Sequence, residues 1–260
     1  MYQRHDNEKL PDDLETPIWR YMDFTKFVSM LDQHSLFFCR PDSLDDRFEG
    51  AWGKASLAHI KNDLRQRIKD GGSVVGGIDH QPMGVTTNAS VFRRITAVNC
   101  WHLSPHESEA MWKLYIHSHH GVAVKSSTSK LIDAFFDDQT VLIHIGLVNY
   151  IDYDTDPIPF GNYLTPLLHK RKSFEHEREL RAVAYKVEII ETENSYSQRG
   201  LTEEFKKPGE HIRVDLSKLI ASIHLAPGCP MWIEQLVKSV LTHYDLDVPV
   251  LRSKLDEEPV

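Results

Sequence analysis

Glu177, Glu179 and Arg181 alternate with Arg178 and Leu180 in residues 176–185, His-Glu-Arg-Glu-Leu-Arg-Ala-Val-Ala-Tyr. The apolar run at 182–185 predicts a strand entering a core. Side chains on a strand point to opposite faces with a period of two, so the two glutamates and the arginine would share a face, about 7 Å apart in succession. Burying such charges without partners is costly. That face should therefore open on a cleft or join a polar network. A helical reading would instead make Glu177 and Arg181 an ordinary i,i+4 surface pair. Arg20 and Tyr21, near the start of the chain, are candidate companions of this face. A guanidinium can hold a phosphate-bearing ligand by bidentate contacts. A carboxylate can hydrogen-bond a ribose hydroxyl or stabilise a developing oxocarbenium ion. The same residues would serve equally as a buried ion network, with Arg20 or Arg181 neutralising the glutamates.

Other clusters offer weaker chemistry. Asp45, Asp46 and Glu49 share an acidic turn that could bind a divalent cation, but they lack the calcium-loop pattern and read first as a solvated turn. His102, His106, His117, His119 and His120 lie near Cys100, yet their spacing does not set three or four convergent zinc ligands, so no metal is expected. Met111 and Tyr115 fall at i,i+4 around Trp112 on a predicted helix, as core packing or as a ring-stacking platform. Trp232, Leu236, Val237, Val240 and Leu241 read as a core stripe. Cys39 and Cys100 follow apolar residues and read as buried, inert thiols.

These side chains need a scaffold. Strands are predicted at 18–22, 35–39, 95–101, 121–125, 141–148, 212–214 and 220–225, besides the Glu/Arg strand. Helices are predicted at 24–31, 55–69, 105–117, around 131–136 and at 231–243. Ser104 is placed as N-cap of the helix at 105–117, with Pro105 in its first turn. The glycine-rich stretch 71–77 lacks the Gly-Lys-Ser/Thr of a phosphate loop. Residues 150–159 and 192–210 read as loops. The expected architecture is α+β: a single domain over 17–255, with mixed, largely antiparallel sheets flanked by helices, a loose arm at 1–16 and a tail at 256–260. The formal charge of −8 argues against a general phosphate-backbone binder. A polar start, three scattered cysteines and no long apolar run predict a cytoplasmic chain with reduced thiols and no membrane partner.

Several fragments in this order resemble the bacterial domain of unknown function 2971 family. They are Trp19-Arg-Tyr21 and the Leu36-Phe-Phe strand, Leu44-Asp-Asp-Arg-Phe-Glu49, Cys100-Trp-His-Leu-Ser104, and Met111-Trp-x-x-Tyr115 through Gly121-Val. Lys172-Ser-Phe-Glu-His-Glu-Arg-Glu-Leu-Arg181, Val214-Asp-Leu with Ile220-x-x-Ile223, and Ala226-Pro complete the set, covering about 18 to 255. Arg47 departs from the family, which usually shows proline in an Asp-Pro-x-Glu turn there. More distantly the chain is similar to the ADP-ribosyltransferase-like superfamily, whose core implies a strand bearing Arg or His and a late Glu-x-Glu strand. That similarity implies NAD as substrate, with Arg20 holding it, Glu179 as the catalytic glutamate and Glu177 positioning the acceptor. Ser104, or Ser127-Thr-Ser129, would be the middle motif. Tyr21 or Trp112 would stack the ring beside Tyr115, and Arg181 would keep the carboxylates ionised. The acceptor, protein or nucleic acid, and the oligomeric state are left open, and a defence or toxin context is implied. A non-catalytic nucleotide- or protein-binding module is the alternative. A metal-dependent hydrolase or nuclease built on Asp45, Asp46, Glu49 and the histidines is the third.

Overall fold

The computed structural model describes residues 1–4, 9–71, 81–116, 119–136, 140–159, 164–191, 197–201 and 203–259, with the backbone alone over 81–87, 188–191 and 197–201. In chain order the elements are β1 (Pro17–Asp23), α1 (Phe24–Asp32), β2 (Ser35–Cys39), α2 (Lys54–Lys69), α3 (Gln81–Ile95), β3 (Thr96–Leu103) and α4 (Glu109–Tyr115). They continue with β4 (Gly121–Ser127), α5 (Thr128–Ala134), β5 (Val141–Leu147), β6 (Asn149–Ile151), β7 (His169–Arg171), β8 (Glu179–Glu191) and β9 (Ser197–Leu201). The last are β10 (Gly209–Arg213), α6 (Leu216–Leu219), β11 (Ser222–Leu225), α7 (Met231–His243) and β12 (Val250–Leu251).

The fold is α+β, as the alternating patterns predict. Among the described residues ten strands form one sheet, antiparallel except where β11 meets β12, and β6 and β7 form a separate parallel pair. The main path runs β10-β2-β3-β1-β4-β11-β12; β8 pairs with β3 and carries β5 and β9. One face of this sheet carries the main apolar core. Ile18 and Met22 of β1, Ala97 and Trp101 of β3, Ile143 and Ile145 of β5, and Leu180, Ala182 and Ala184 of β8 pack there against Phe27 and Leu31 of α1, Leu131 of α5 and Val237 of α7. The other face holds two smaller clusters. Trp19, Tyr21, Met111, Trp112 and Ala123 form one. Val98, Leu142, Leu167, Val183 and Tyr185 form the other, with Cys100 against it. Of the candidate site, Cys100, His102, Glu179 and Arg181 lie on that interrupted face. Among the described residues no helix is long and apolar enough to cross a membrane.

Several expectations are corrected. The described part of the arm is not loose: Met1 and Gln3 bond to β5 through Met1 N–Val141 O at 2.9 Å, Ile143 N–Met1 O at 3.0 Å and Gln3 N–Ile143 O at 2.9 Å, and Leu147 N donates to Lys9 O at 2.8 Å. The arm pairs with a sheet edge that would otherwise expose unpaired backbone groups. The helix expected from 105 begins at Glu109, because Ser108 rather than Ser104 supplies the N-cap, accepting from Met111 N at 3.4 Å. α3 was not predicted, since Pro82, Gly84 and a β-branched run blur its periodicity. Trp232 is 55% exposed and Leu236 37%, so only part of the α7 stripe is core. The loop expected at 192–210 contains β9, the strand expected at 212–214 is β10 and starts earlier, at Gly209, and a short pairing strand, β6, opens the loop expected at 150–159. Residues 72–80 lie outside the described residues.

Candidate functional site

β1 pairs with β4 along its whole length but with β3 only at Ile18↔Leu103 and Trp19↔His102. β3 then passes to β2, meeting it at Cys39↔Val98, while its other edge stays on β8 from Thr96 to His102. The sheet thus forks just beyond Trp19. Backbone groups along the opened edge of β3 lose the partners that a continuing β1 would supply, and buried carbonyls need partners. Arg20, the first residue past the last pair, meets this need: its Nη1 donates to Cys100 O at 2.7 Å. That is its one hydrogen bond among the described residues, and a guanidinium carries five N–H donors.

Across Cys100 lies a buried ionic cluster. Cys100 is paired with Arg181 and His102 with Glu179, so all four side chains share a sheet face. Arg181 Nε and Nη2 donate to Glu179 Oε2 at 3.0 and 2.7 Å; Nη1 and Nη2 donate to Glu49 at 2.7 and 3.3 Å, and Nη1 also donates to Leu167 O at 2.8 Å. All its donors are used, and the residue is 1% exposed. Arg181 therefore has no donor left for a cofactor and is a clamp on Glu49 and Glu179. Lys170 completes the cluster, donating from Nζ to Glu177 Oε2 and Glu179 Oε1 at 2.7 Å each, with Glu49 Oε1 at 3.4 Å.

Glu177 reaches the cluster by an unexpected route. It ends a 3₁₀ turn, Lys172–Glu177, and the strand starts only at Glu179. Arg178 between them has φ of +42°, a left-handed conformation uncommon for a residue with a side chain. That residue folds the backbone so that both glutamates converge, where an unbroken strand would have held them apart. Glu49 is delivered by a turn whose next residue, Gly50, has φ of +67°; a Cβ there would meet Leu167 Cδ2 at 2.8 Å. Lys170 sits on β7, paired with Tyr150 of β6, and the Tyr150 hydroxyl accepts from Glu179 N at 2.8 Å.

The cluster holds three carboxyls and two cations. Burial, followed by the hydrogen bond and charge of Glu179, pushes Glu177 up to about 7. Burial acts the same way on Glu179, but the Arg181 charge, the Glu177 hydrogen bond and Lys170 overcome it and hold that carboxyl well below the usual carboxylate range. Burial opposes charge on Lys170 too, and Glu179 and Glu49 more than offset it, so the ammonium stays charged. One proton, on Glu177, balances the set. Two adjacent carboxyls with proton affinities driven apart are suited to acid–base work. Burial raises the Cys100 thiol far above its ordinary value, which leaves it un-ionised and without the nucleophilicity of a thiolate.

The aromatic residues divide between wall and rim. Trp112 is buried, its indole N–H on Glu107 Oε2 at 2.9 Å. It meets Tyr21 edge to face at 4.9 Å between centroids, and the Tyr21 hydroxyl accepts from Ser108 N at 2.8 Å. Neither presents an open ring face as a platform. Tyr115 is 45% exposed and makes no hydrogen bond among the described residues. Burial of its hydroxyl, then the charge of Glu177 and the neighbouring Cys100 and Glu179, raise the phenol, so it stands beside the acid pair; Arg20 feels it as well. Ser104 is buried and its hydroxyl accepts from His106 N at 3.3 Å, away from the carboxylates. Ser127 caps α5, accepting from Lys130 N at 3.2 Å. Asp46 turns to Arg171 at 2.9 Å and Glu49 to Arg181, while Asp45 is exposed, so the acidic turn does not converge. Among the described residues no group of three or more His, Cys, Asp or Glu side chains is arranged to hold a metal ion.

The fold and site define a forked α+β sheet with an acid pair beside the fork. No family model matches the chain, and no curated protein does. Two solved structures similar to it are of DarT from Thermus sp. 2.9. The complex with carba-NAD+ has a TM-score of 0.38 and 9% identity, over 95% of this chain and 98% of that one. The complex with ADP-ribosylated ssDNA has a TM-score of 0.40 and 11% identity, over 95% and 97%.

Proposed function

We propose that this chain is an ADP-ribosyltransferase-like enzyme that cleaves NAD and transfers ADP-ribose to an acceptor, either a protein or a nucleic acid, in a bacterial defence or toxin setting. The observation that carries this reading is the pair of groups on either side of Cys100. On one side Arg20 has donors to spare at the fork, and on the other Glu179 is held ionised in a nearly dry cluster. In this reading Arg20 takes the phosphates of NAD by charge-assisted hydrogen bonds. Glu179, fixed by Arg181 and Lys170, faces the glycosidic carbon and stabilises positive charge as nicotinamide leaves, a stabilisation made stronger by exclusion of water. Glu177, with its carboxyl near 7, orients the acceptor and takes its proton. Tyr115 covers the site from α4, and Tyr21 and Trp112 form the wall behind the ring.

One observation favours a second reading. Glu179 is buried and both its oxygens already accept from cations. The cluster could then be a structural lock in a non-catalytic module that binds a nucleotide or a protein at the fork. Incubation of the protein with NAD and chromatography of free nicotinamide decides between them. Release at a rate dependent on Arg20 supports the enzyme. A thermal shift with NAD but no release supports the binding module, and neither response refutes both.

A further inference from the structure

His102 is a buried titratable group on the sheet face of Glu179 that the proposed reaction leaves unused. It lies directly across from Glu179 on β8 and from Trp19 on β1, in the last rung before the fork. It is 4% exposed, and its ring stands edge-on to Tyr21 at 6.3 Å between centroids. Nδ1 is 2.7 Å from Glu177 O. A carbonyl only accepts, so Nδ1 carries the hydrogen and donates to it. The tautomer is thereby fixed, and Nε2 is left with a lone pair. Burial keeps the ring below its ordinary value and neutral. Nε2 has no hydrogen-bond partner among the described residues, so its lone pair is open to a donor from outside the chain.

We propose that His102 is a specificity-determining residue: its Nε2 accepts a hydrogen bond from an N–H donor on the flat ring of the bound nucleotide, which for NAD is the carboxamide. This rests on the NAD reading above. The cross-strand position of His102 beside Glu179 puts that carboxamide group next to the bond that breaks. A ring bearing a carboxylate instead offers only acceptors to Nε2. It also sets a negative charge beside Glu179, so it is rejected twice. Sites built around such a hydrogen bond discriminate far more strongly than apolar pockets do.

The test compares kcat/KM for NAD with that for nicotinic acid adenine dinucleotide in the wild type, His102→Phe and His102→Gln. The wild type should prefer NAD by at least roughly 100-fold. His102→Phe keeps a ring without an acceptor and should lose roughly 10- to 100-fold on NAD, with the preference shrinking at least as much. His102→Gln, whose amide oxygen can accept, should keep most of the preference. An unchanged preference in His102→Phe overturns the role of His102. If that variant does not fold, loss of the preference in His102→Gln overturns it instead. A wild-type protein that neither releases nicotinamide nor is shifted thermally by NAD overturns the NAD reading and this inference together, before any variant is made.

Discussion

Replacing Glu177 with glutamine tests the charge balance of the buried cluster directly. Glutamine has the shape of the protonated acid: its amide can donate to Glu179 while its oxygen accepts from Lys170 Nζ, which lies 2.7 Å from the present carboxyl. In the wild type the carboxyl moves from an ordinary 4.5 to about 7 on folding. The folded value is the higher one, so the native state keeps a proton that the unfolded state releases. Stability from this group is therefore complete below pH 4.5 and is lost as pH rises through about 7. At about 1.4 kcal/mol per unit, the ceiling is about 3 kcal/mol. Burial drives the neutral histidines His102, His169 and His224 below their ordinary values, so they add stability with the opposite slope. The diagnostic is thus the difference between two proteins that share those histidines. Urea unfolding from about pH 5 to 8 should show Glu177→Gln nearly as stable as wild type at the acid end. It should be more stable by up to about 3 kcal/mol at the alkaline end. Parallel stability curves would refute the assignment of the proton to Glu177.

Arg181→Met should lower stability by about 3–5 kcal/mol, because it leaves the buried Glu49 and Glu179 without the guanidinium that pairs them; a change below about 1 kcal/mol in denaturant unfolding would contradict the clamp. Lys170→Met removes the cation shared by Glu177 and Glu179, so the acid limb of the kcat/KM profile for NAD should move to higher pH, and an unmoved limb would separate Glu177 from the rate. Arg20→Ala leaves Cys100 O unpaired at the fork and should cost about 1–3 kcal/mol in stability. It should also raise KM for NAD at least roughly tenfold, as loss of a charge-assisted contact would; loss of stability with KM unchanged would reduce Arg20 to a backbone cap.

Periodicity made β1, β2, β3, β4 and β8 legible, because each alternates or runs apolar between turn residues, and the Glu179/Arg181 face followed from it. The route of Glu177 did not follow. The letters Glu-x-Glu look the same whether the middle residue is extended or left-handed, and nothing about Arg178 announces a positive φ. Lys170 was hidden for a different reason: in His-Lys-Arg it resembles a surface basic run, and its burial depends on β6 and the acidic turn folding over it. Glu49 read as part of a solvated turn because its partner, Arg181, is 132 residues away in sequence. The fork itself has no local signature, since it arises where β3 exchanges one neighbour for another.

The two arginines divide the labour at the site. By residue type alone, Arg20 or Arg181 could each neutralise the glutamates. Their surroundings separate them by donor arithmetic: five bonds from Arg181 to acceptors of the chain, one from Arg20. A saturated, buried guanidinium cannot turn to a ligand without stranding two carboxylates, so Arg181 can only set the position and charge of Glu179. Arg20 loses at most one bond when a ligand arrives, and that bond caps a carbonyl at the mouth of the fork. On the proposed reading the buried network and the ligand cleft, rival explanations of the same charges, are adjoining parts of one site. The network keeps Glu179 ionised where water is scarce, and Arg20 has donors to spare beside it.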